Sequence, residues 1–226
     1  MTEQSVDLKR EQEATLARPR MRYSLMARGL FLGMDLLYGR ATRLPKVRLL
    51  EILARIPYQA WETSRYSLLS RRYADDPAVE RAAEIIAWGR HAQDNEFWHL
   101  RVIERRMAID GVREGWLWRV AVARFACFTY ALFSRSLARL NIRRAFLLNA
   151  EFEDHAEHIY MQFVKDHPEW ENEPVGDPVV DAVNGPYANW ADVFRRIGLD
   201  ERDHMNESLR RCGMADQVAP YVQAGG

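Results

Sequence analysis

Apolar residues recur at spacings of three and four along most of this chain, and that recurrence predicts helices. Phe146, Asn149, Glu153, Ala156, Tyr160 and Val164 fall on one stripe of a helix that Asp166-His167-Pro168 ends. Glu51, Ala54, Tyr58 and Glu62 share a face of a segment from about residue 46 to 70, which Pro57 should kink. Asp75-Asp76-Pro77 reads as a helix start, with an acid at the cap and proline in the first turn, and Asp110-Gly111 reads as the stop. Between them, Ile85, Ala92, Glu96, His99 and Ile103 make the inner stripe. A last helix from about Tyr187 carries Val193, Ile197, Glu201, His204 and Ser208 inward. Two more apolar segments, 21–38 and 116–137, bring the predicted helices to six. No convincing strand-like alternation interrupts them, so the predicted class is all-α. Residues 166–186, rich in proline and glycine, read as a long loop.

Segments 21–38 and 116–137 differ from the others. Arginines punctuate both, at Arg22 and Arg28 and at Arg119, Arg124 and Arg135, and the longest uncharged run, 125–134, is too short for a bilayer that needs ~20 apolar residues. Two tryptophans near one end with flanking arginines suit a helix lying in a membrane interface; an ordinary packed helix is the alternative. Residues 1–20 are polar and charged and are expected as a solvated tail ahead of a single domain, 21–226. No secretory signal opens the chain, and acids at positions 3, 7, 11 and 13 speak against a mitochondrial transit peptide. With 32 Lys and Arg against 32 Asp and Glu the chain carries no net charge, which argues against a general nucleic-acid partner. Cys127 and Cys212 form no metal-ligand spacing.

The chemistry concentrates in 149–160, where four acids and two histidines stand between apolar runs. Acids inside a packed helix must be paired or hold a metal. Two Glu-x-x-His pairs, Glu96 with His99 and Glu201 with His204, offer a carboxylate and an imidazole on one helix face. With 18 Glu and 6 His, chance gives roughly half such a pair, so the pairs matter only with what surrounds them. The recurring di-iron bundle places one pair on each of two helices and a lone glutamate on each of the other two. Glu153 is one lone glutamate; Glu51 and Glu62 are rivals for the other. His91 has no acid one turn before it, and His167 reads as a helix-end residue.

Four segments resemble the alternative oxidases, in the style of the plastid terminal oxidases. Leu50-Glu51-Ile52-Leu53-Ala54-Arg55-Ile56-Pro57-Tyr58 looks like their first ligand segment. Asp94-Asn95-Glu96-Phe97-Trp98-His99-Leu100 resembles their Asn-Glu-x-x-His-Leu. Glu153-Asp154-His155-Ala156 with Tyr160 is similar to the third, and Asp200-Glu201-Arg202-Asp203-His204 to the closing Asp-Glu-x-x-His. They stand in the family's order over about two-thirds of the chain. There are departures. Gly198 and Leu199 replace the usual basic residue, the Glu51–Glu96 interval is several residues longer, and the plastid-type insertion is missing.

The resemblance implies a ferritin-like four-helix bundle with two additional membrane-facing helices. It selects Glu51 over Glu62 and implies two iron ions held by Glu51, Glu96, His99, Glu153, Glu201 and His204, with Tyr160 at the redox-active tyrosine. It further implies a monotopic homodimer on one leaflet, at the cytoplasmic face of a bacterial inner membrane or on an organelle inner membrane. The implied reaction is ubiquinol oxidation by dioxygen without proton pumping, with the quinol entering from the membrane side between segments 21–38 and 116–137. Four electrons reduce dioxygen to water and each quinol brings two. Four carboxylates against two ferrous ions make a neutral buried site. Asn95 and Asp200, each just before a ligand glutamate, are expected to hold the ligands in place. The rival expectations are a di-iron hydroxylase of a quinone precursor or lipid, a ferritin-like iron-binding bundle, and a helical interaction protein without metal.

Overall fold

A computed structural model describes residues 6–183 and 185–222. The described chain is all-helical, with no strand among these residues. Seven α-helices follow one another: α1 (Leu8–Ala17), α2 (Leu25–Tyr38), α3 (Leu44–Leu69), α4 (Asp76–Ile109), α5 (Ala123–Leu140), α6 (Ile142–Asp166) and α7 (Trp190–Cys212). A π-helical turn, Leu117–Val122, leads into α5, and short 3-10 turns follow α6 and α7. The chain divides into two compact units, one formed by Met1–Gly33 with Leu148–Gly226 and the other by Met34–Leu147.

In the Met34–Leu147 unit, α3 packs along α4 and α5. Asp75 caps α4 by accepting from the Ala78 N–H at 3.2 Å, with proline in the first turn, as the local sequence predicts. Pro57 lies inside a helix that runs unbroken from Leu44 to Leu69. Trp61 anchors the interior. It stacks on Trp88 at 5.0 Å and meets Tyr58 and Phe146 edge-on at 4.9 and 4.7 Å. The inner stripe of α4 passes through Ala82, Ile86, Gly89, Ala92, Glu96, His99 and Ile103; Ile85, expected there, is only half-buried because its neighbour Ile86 takes the inward position.

The other unit holds α1, the start of α2, most of α6, and α7. Val193, Ile197, Glu201, His204 and Ser208 are all buried along α7, as their spacing predicts. Gly198 allows close approach: a Cβ there would stand 3.3 Å from the Cβ of Tyr160 and 2.8 Å from the Met161 methyl. Gly213, at φ 85°, closes α7 in the left-handed conformation. The proline-rich stretch after α6 is partly ordered by Trp170, which is buried and stacks on Phe194 at 4.5 Å.

Residues 8–17 are a docked helix where a solvated tail was expected. Asp7 caps α1 through the N–H groups of Lys9 and Arg10. The face that α1 buries is polar, Glu11, Gln12 and Thr15, and is satisfied by hydrogen bonds. Gln12 donates to the Met161 carbonyl at 2.9 Å, Thr15 to Glu157 at 2.7 Å, and Arg202 reaches both Glu11 and Thr15. Such a helix shows no apolar stripe, and this is why periodicity misses it.

Arg202 joins α1, α6 and α7, because its Nε also donates to Glu157 at 2.8 Å. Replacing it leaves the buried Glu11 carboxylate without its cation and Glu157 with Arg18 alone. Arg202→Ala should therefore lower stability by about 3–5 kcal/mol. Urea unfolding followed by circular dichroism measures this; a loss within experimental error would show that the network contributes only local order.

Candidate metal centre

Each unit brings together one lone glutamate and one Glu-x-x-His pair. In the Met34–Leu147 unit these are Glu51 on α3 and Glu96 and His99 on α4. Their donor atoms all lie within 4.8 Å of one another, and all three side chains are fully buried. His99 Nδ1 is 3.3 Å from an oxygen of Glu51 and 3.3 Å from one of Glu96. The arrangement follows from helical spacing: residues 96 and 99 stand one turn apart on the buried stripe of α4, and α3 runs beside it.

The rival to Glu51 is accounted for in the same unit. Glu62 accepts from Arg90 Nε at 2.8 Å and from the Gln93 amide at 3.1 Å, so it serves an ion pair between α3 and α4. His91 is exposed, and His167 at the end of α6 stacks on Trp170 at 4.4 Å.

The second triad is Glu153 on α6 with Glu201 and His204 on α7, again with donor atoms within 4.8 Å of one another. His204 Nδ1 is 3.8 Å from Glu201. Glu153 is oriented by Asn149, one turn earlier, whose amide donates to it at 2.9 Å and to the Ser208 hydroxyl at 3.2 Å. Asn149 and Ser208 had been placed only as stripe positions; the spacing of four between 149 and 153 was the available signal for this contact. Tyr160, seven residues after Glu153 on the same buried face, is fully buried, with its ring 6.1 Å from that of Phe194. Asp200 is held by the Arg196 guanidinium, with Nε at 2.9 Å.

The donor sets fit a metal. Two carboxylates beside one imidazole, with no thiolate, suit a ferrous ion or a similar divalent cation. Donors about 2.1 Å from a common ion and roughly at right angles lie about 3 Å apart, close to the spacing around His99. One divalent ion per triad balances its two carboxylates, which limits the cost of burying them.

A third buried cluster, Asp154, Glu157 and His158, also has metal-like composition, but protein groups occupy all its polar atoms except Asp154 Oδ1, which has the Arg18 guanidinium at 3.6 Å. Asp154 accepts from the Met21 N–H at 3.0 Å and the Tyr23 hydroxyl at 2.8 Å. Glu157 accepts from Thr15, Arg18 and Arg202. Both nitrogens of His158 face carbonyl oxygens, of Asp154 at 2.7 Å and of Arg18 at 3.1 Å. The charges are set accordingly. Burial, then the Asp154 carboxylate, push the Tyr23 phenol far above the ordinary tyrosine range. Burial works against the Arg202 cation, but the carboxylates of Glu157 and Glu11 outweigh it and keep it charged. This cluster ties the chain before α2 to α6.

Compared with known proteins, the chain matches no family model and no curated sequence.

The Asn149 contact gives a direct test of how Glu153 is held. Removing an orienting hydrogen bond behind a ligand commonly costs about 10–100-fold in metal affinity. Asn149→Ala should weaken ferrous binding by that order with the helical circular dichroism unchanged. Metal titration of the purified protein measures it; unaltered affinity would remove Asn149 from the site.

Proposed function

We propose that the two triads together serve one di-iron centre and that the protein is a quinol:oxygen oxidoreductase that reduces dioxygen to water without pumping protons. The observation that carries this reading is the buried repetition of one donor set, a lone glutamate with a Glu-x-x-His pair, once in each unit. That is the ligand inventory of the carboxylate di-iron bundles. The four motif segments that resemble the alternative oxidases support the oxidase within that group, as does Tyr160 seven residues after Glu153.

Two bound ferrous ions would supply electrons and open coordination positions for dioxygen. The chain's own contribution is otherwise. Glu51, Glu96, Glu153 and Glu201 set the charge, and His99 and His204 add neutral donors. Asn149 fixes the direction of Glu153 through its amide. Tyr160 is shielded from water, so its phenol is available to give a proton and an electron to dioxygen rather than to solvent. Burial of all six ligands keeps reactive oxygen species away from bulk water.

Attachment to one leaflet is part of the same proposal. No helix among the described residues is long and apolar enough to cross a membrane. Large apolar side chains are nevertheless exposed on α2, at Leu25, Leu32 and Leu36, and from Trp116 to Leu140, where Trp116, Phe125, Phe128 and Leu140 are each more than 60% exposed. Such faces suit an interfacial layer.

Iron content and quinol-driven oxygen uptake, measured on the same samples, test the proposal. The wild type should hold two irons per chain and produce only water; isotopic oxygen recovered in the quinol or in a lipid would indicate a hydroxylase instead. Glu153→Ala removes a carboxylate and leaves a net positive buried site, so iron content and uptake should both collapse. Tyr160→Phe should keep its iron and lose most uptake. Full activity in Tyr160→Phe would reduce the tyrosine to a packing residue, and two irons in Glu153→Ala would overturn the ligand assignment.

A further inference from the structure

The arginines of the Met34–Leu147 unit differ in their partners. Arg48, Arg90, Arg106 and Arg119 each meet a carboxylate. Arg65, Arg71, Arg135 and Arg139 do not: they gather around a cavity of roughly 430 Å³ between the C-terminal half of α3 and the end of α5, and no acid lines it. Among the described residues none of these four takes part in an ion pair. The α3 wall adds the hydroxyl groups of Thr63, Ser64 and Ser67.

Arg65 is the informative member. It is half-buried, its only hydrogen bond is to the Ser64 hydroxyl at 3.3 Å, and its Nε is buried without a partner. Burial alone shifts it, lowering its pKa, with no carboxylate to offset the effect. Arg135 and Arg139 stand one turn apart on α5, a like-charged spacing that disfavours the helix unless an anion lies between. Four guanidinium groups without a carboxylate partner line one cavity, beside hydroxyls of which Thr63 already donates to the Gln59 carbonyl and Ser64 accepts from Arg65.

We propose that this cavity binds the phosphate group of an anionic ligand. Guanidinium forks and hydroxyl donors match the several acceptor oxygens of a phosphate, and the site's positive charge suits a dianion or a clustered monoanion. The same face of α5 continues from Arg139 and Arg135 to Leu132 and Phe128, at spacings of four, three and four. Leu132 and Phe128 are 51% and 64% exposed. An apolar chain attached to the phosphate would lie along that stripe. The site shares no residue with the metal triads and does not rest on the oxidase reading.

The full-length protein is tested in two arms, with iron content measured alongside. One arm follows thermal unfolding with inorganic phosphate. The other follows co-sedimentation with phosphatidylcholine vesicles, with and without phosphatidylglycerol. Arg65→Gln and the double variant Arg135→Gln/Arg139→Gln are compared with Arg81→Gln, an exposed arginine of α4 that controls for charge. Wild type and Arg81→Gln should gain stability in phosphate, or bind phosphatidylglycerol vesicles in preference to phosphatidylcholine, and the cavity variants should do so about tenfold more weakly with iron retained. A response to phosphate alone identifies a soluble ligand, and a response only to the acidic vesicles identifies a phospholipid. Equal binding by the cavity variants and Arg81→Gln, indifference to the vesicle headgroup together with no response to phosphate, or no binding in either arm would overturn the proposal.

Discussion

Glu51, Glu96, His99, Glu153, Glu201 and His204 lie between 0% and 6% exposed, on helix positions that would ordinarily carry leucine or valine. Taking an ion out of water costs several kcal/mol after relaxation, and this must be recovered from an opposite charge at close range. The sequence around these residues is shaped by that requirement. Each candidate-ligand stripe is otherwise mostly apolar and aromatic, with Asn149 and Ser208 as polar members beside Glu153. In one unit the Trp61, Trp88, Tyr58 and Phe146 rings pack together beside the triad helices; in the other, Gly198 brings α7 close to Tyr160 and Met161. Close helix packing and buried charge depend on each other here.

Buried acids in this protein receive their compensating charge in two ways. Asp154, Glu157 and Glu11 have arginine: Arg18 and Arg202 reach across α1, α6 and α7, and the result is a structural ion-pair network. The six-residue donor set has imidazole in place of guanidinium. Guanidinium remains charged and can only donate, which closes a site, whereas neutral imidazole offers a lone pair to a metal. The two clusters stand side by side on α6, with Glu153 in one and Asp154 and Glu157 in the other. Successive helix faces thereby separate a metal-type site from a fastening site. The α1 helix belongs to the second and ties the chain before α2 to α6 and α7, which carry one of the candidate triads.

A net charge of zero conceals an uneven distribution. Several arginines are matched by acids, and four that have no ion pair among the described residues line the cavity between α3 and α5. The apolar exposure is uneven too, and falls mainly on α2 and on the region from Trp116 to Leu140. A surface that places unmatched cations next to exposed aromatic rings has the chemistry to meet an anionic, partly apolar phase, although each feature taken separately is common on soluble helices.

The sequence by itself determined the all-helical class, most helix limits to within a few residues, and the stripes on which the candidate ligands lie. These depend on local periodicity and on end signals such as Asp75 and Asp110-Gly111, and local signals survive in a one-dimensional reading. It also supplied both Glu-x-x-His pairs, since a spacing of three fixes a shared face. Tertiary structure decided what depends on distant partners. Glu51 and Glu62 share a helix face and a residue type; only the position of Arg90 and Gln93 on α4 assigns Glu62 to an ion pair and leaves Glu51 beside His99. The α1 helix buries polar groups that no hydrophobic pattern could reveal, and its partners lie some 140 to 190 positions further along the chain. The Asp154–Glu157–His158 cluster has metal-like composition, yet arginine, tyrosine and backbone partners contributed from elsewhere take up most of its bonding capacity. Composition names the donors, and the folded chain decides which of them are already bonded.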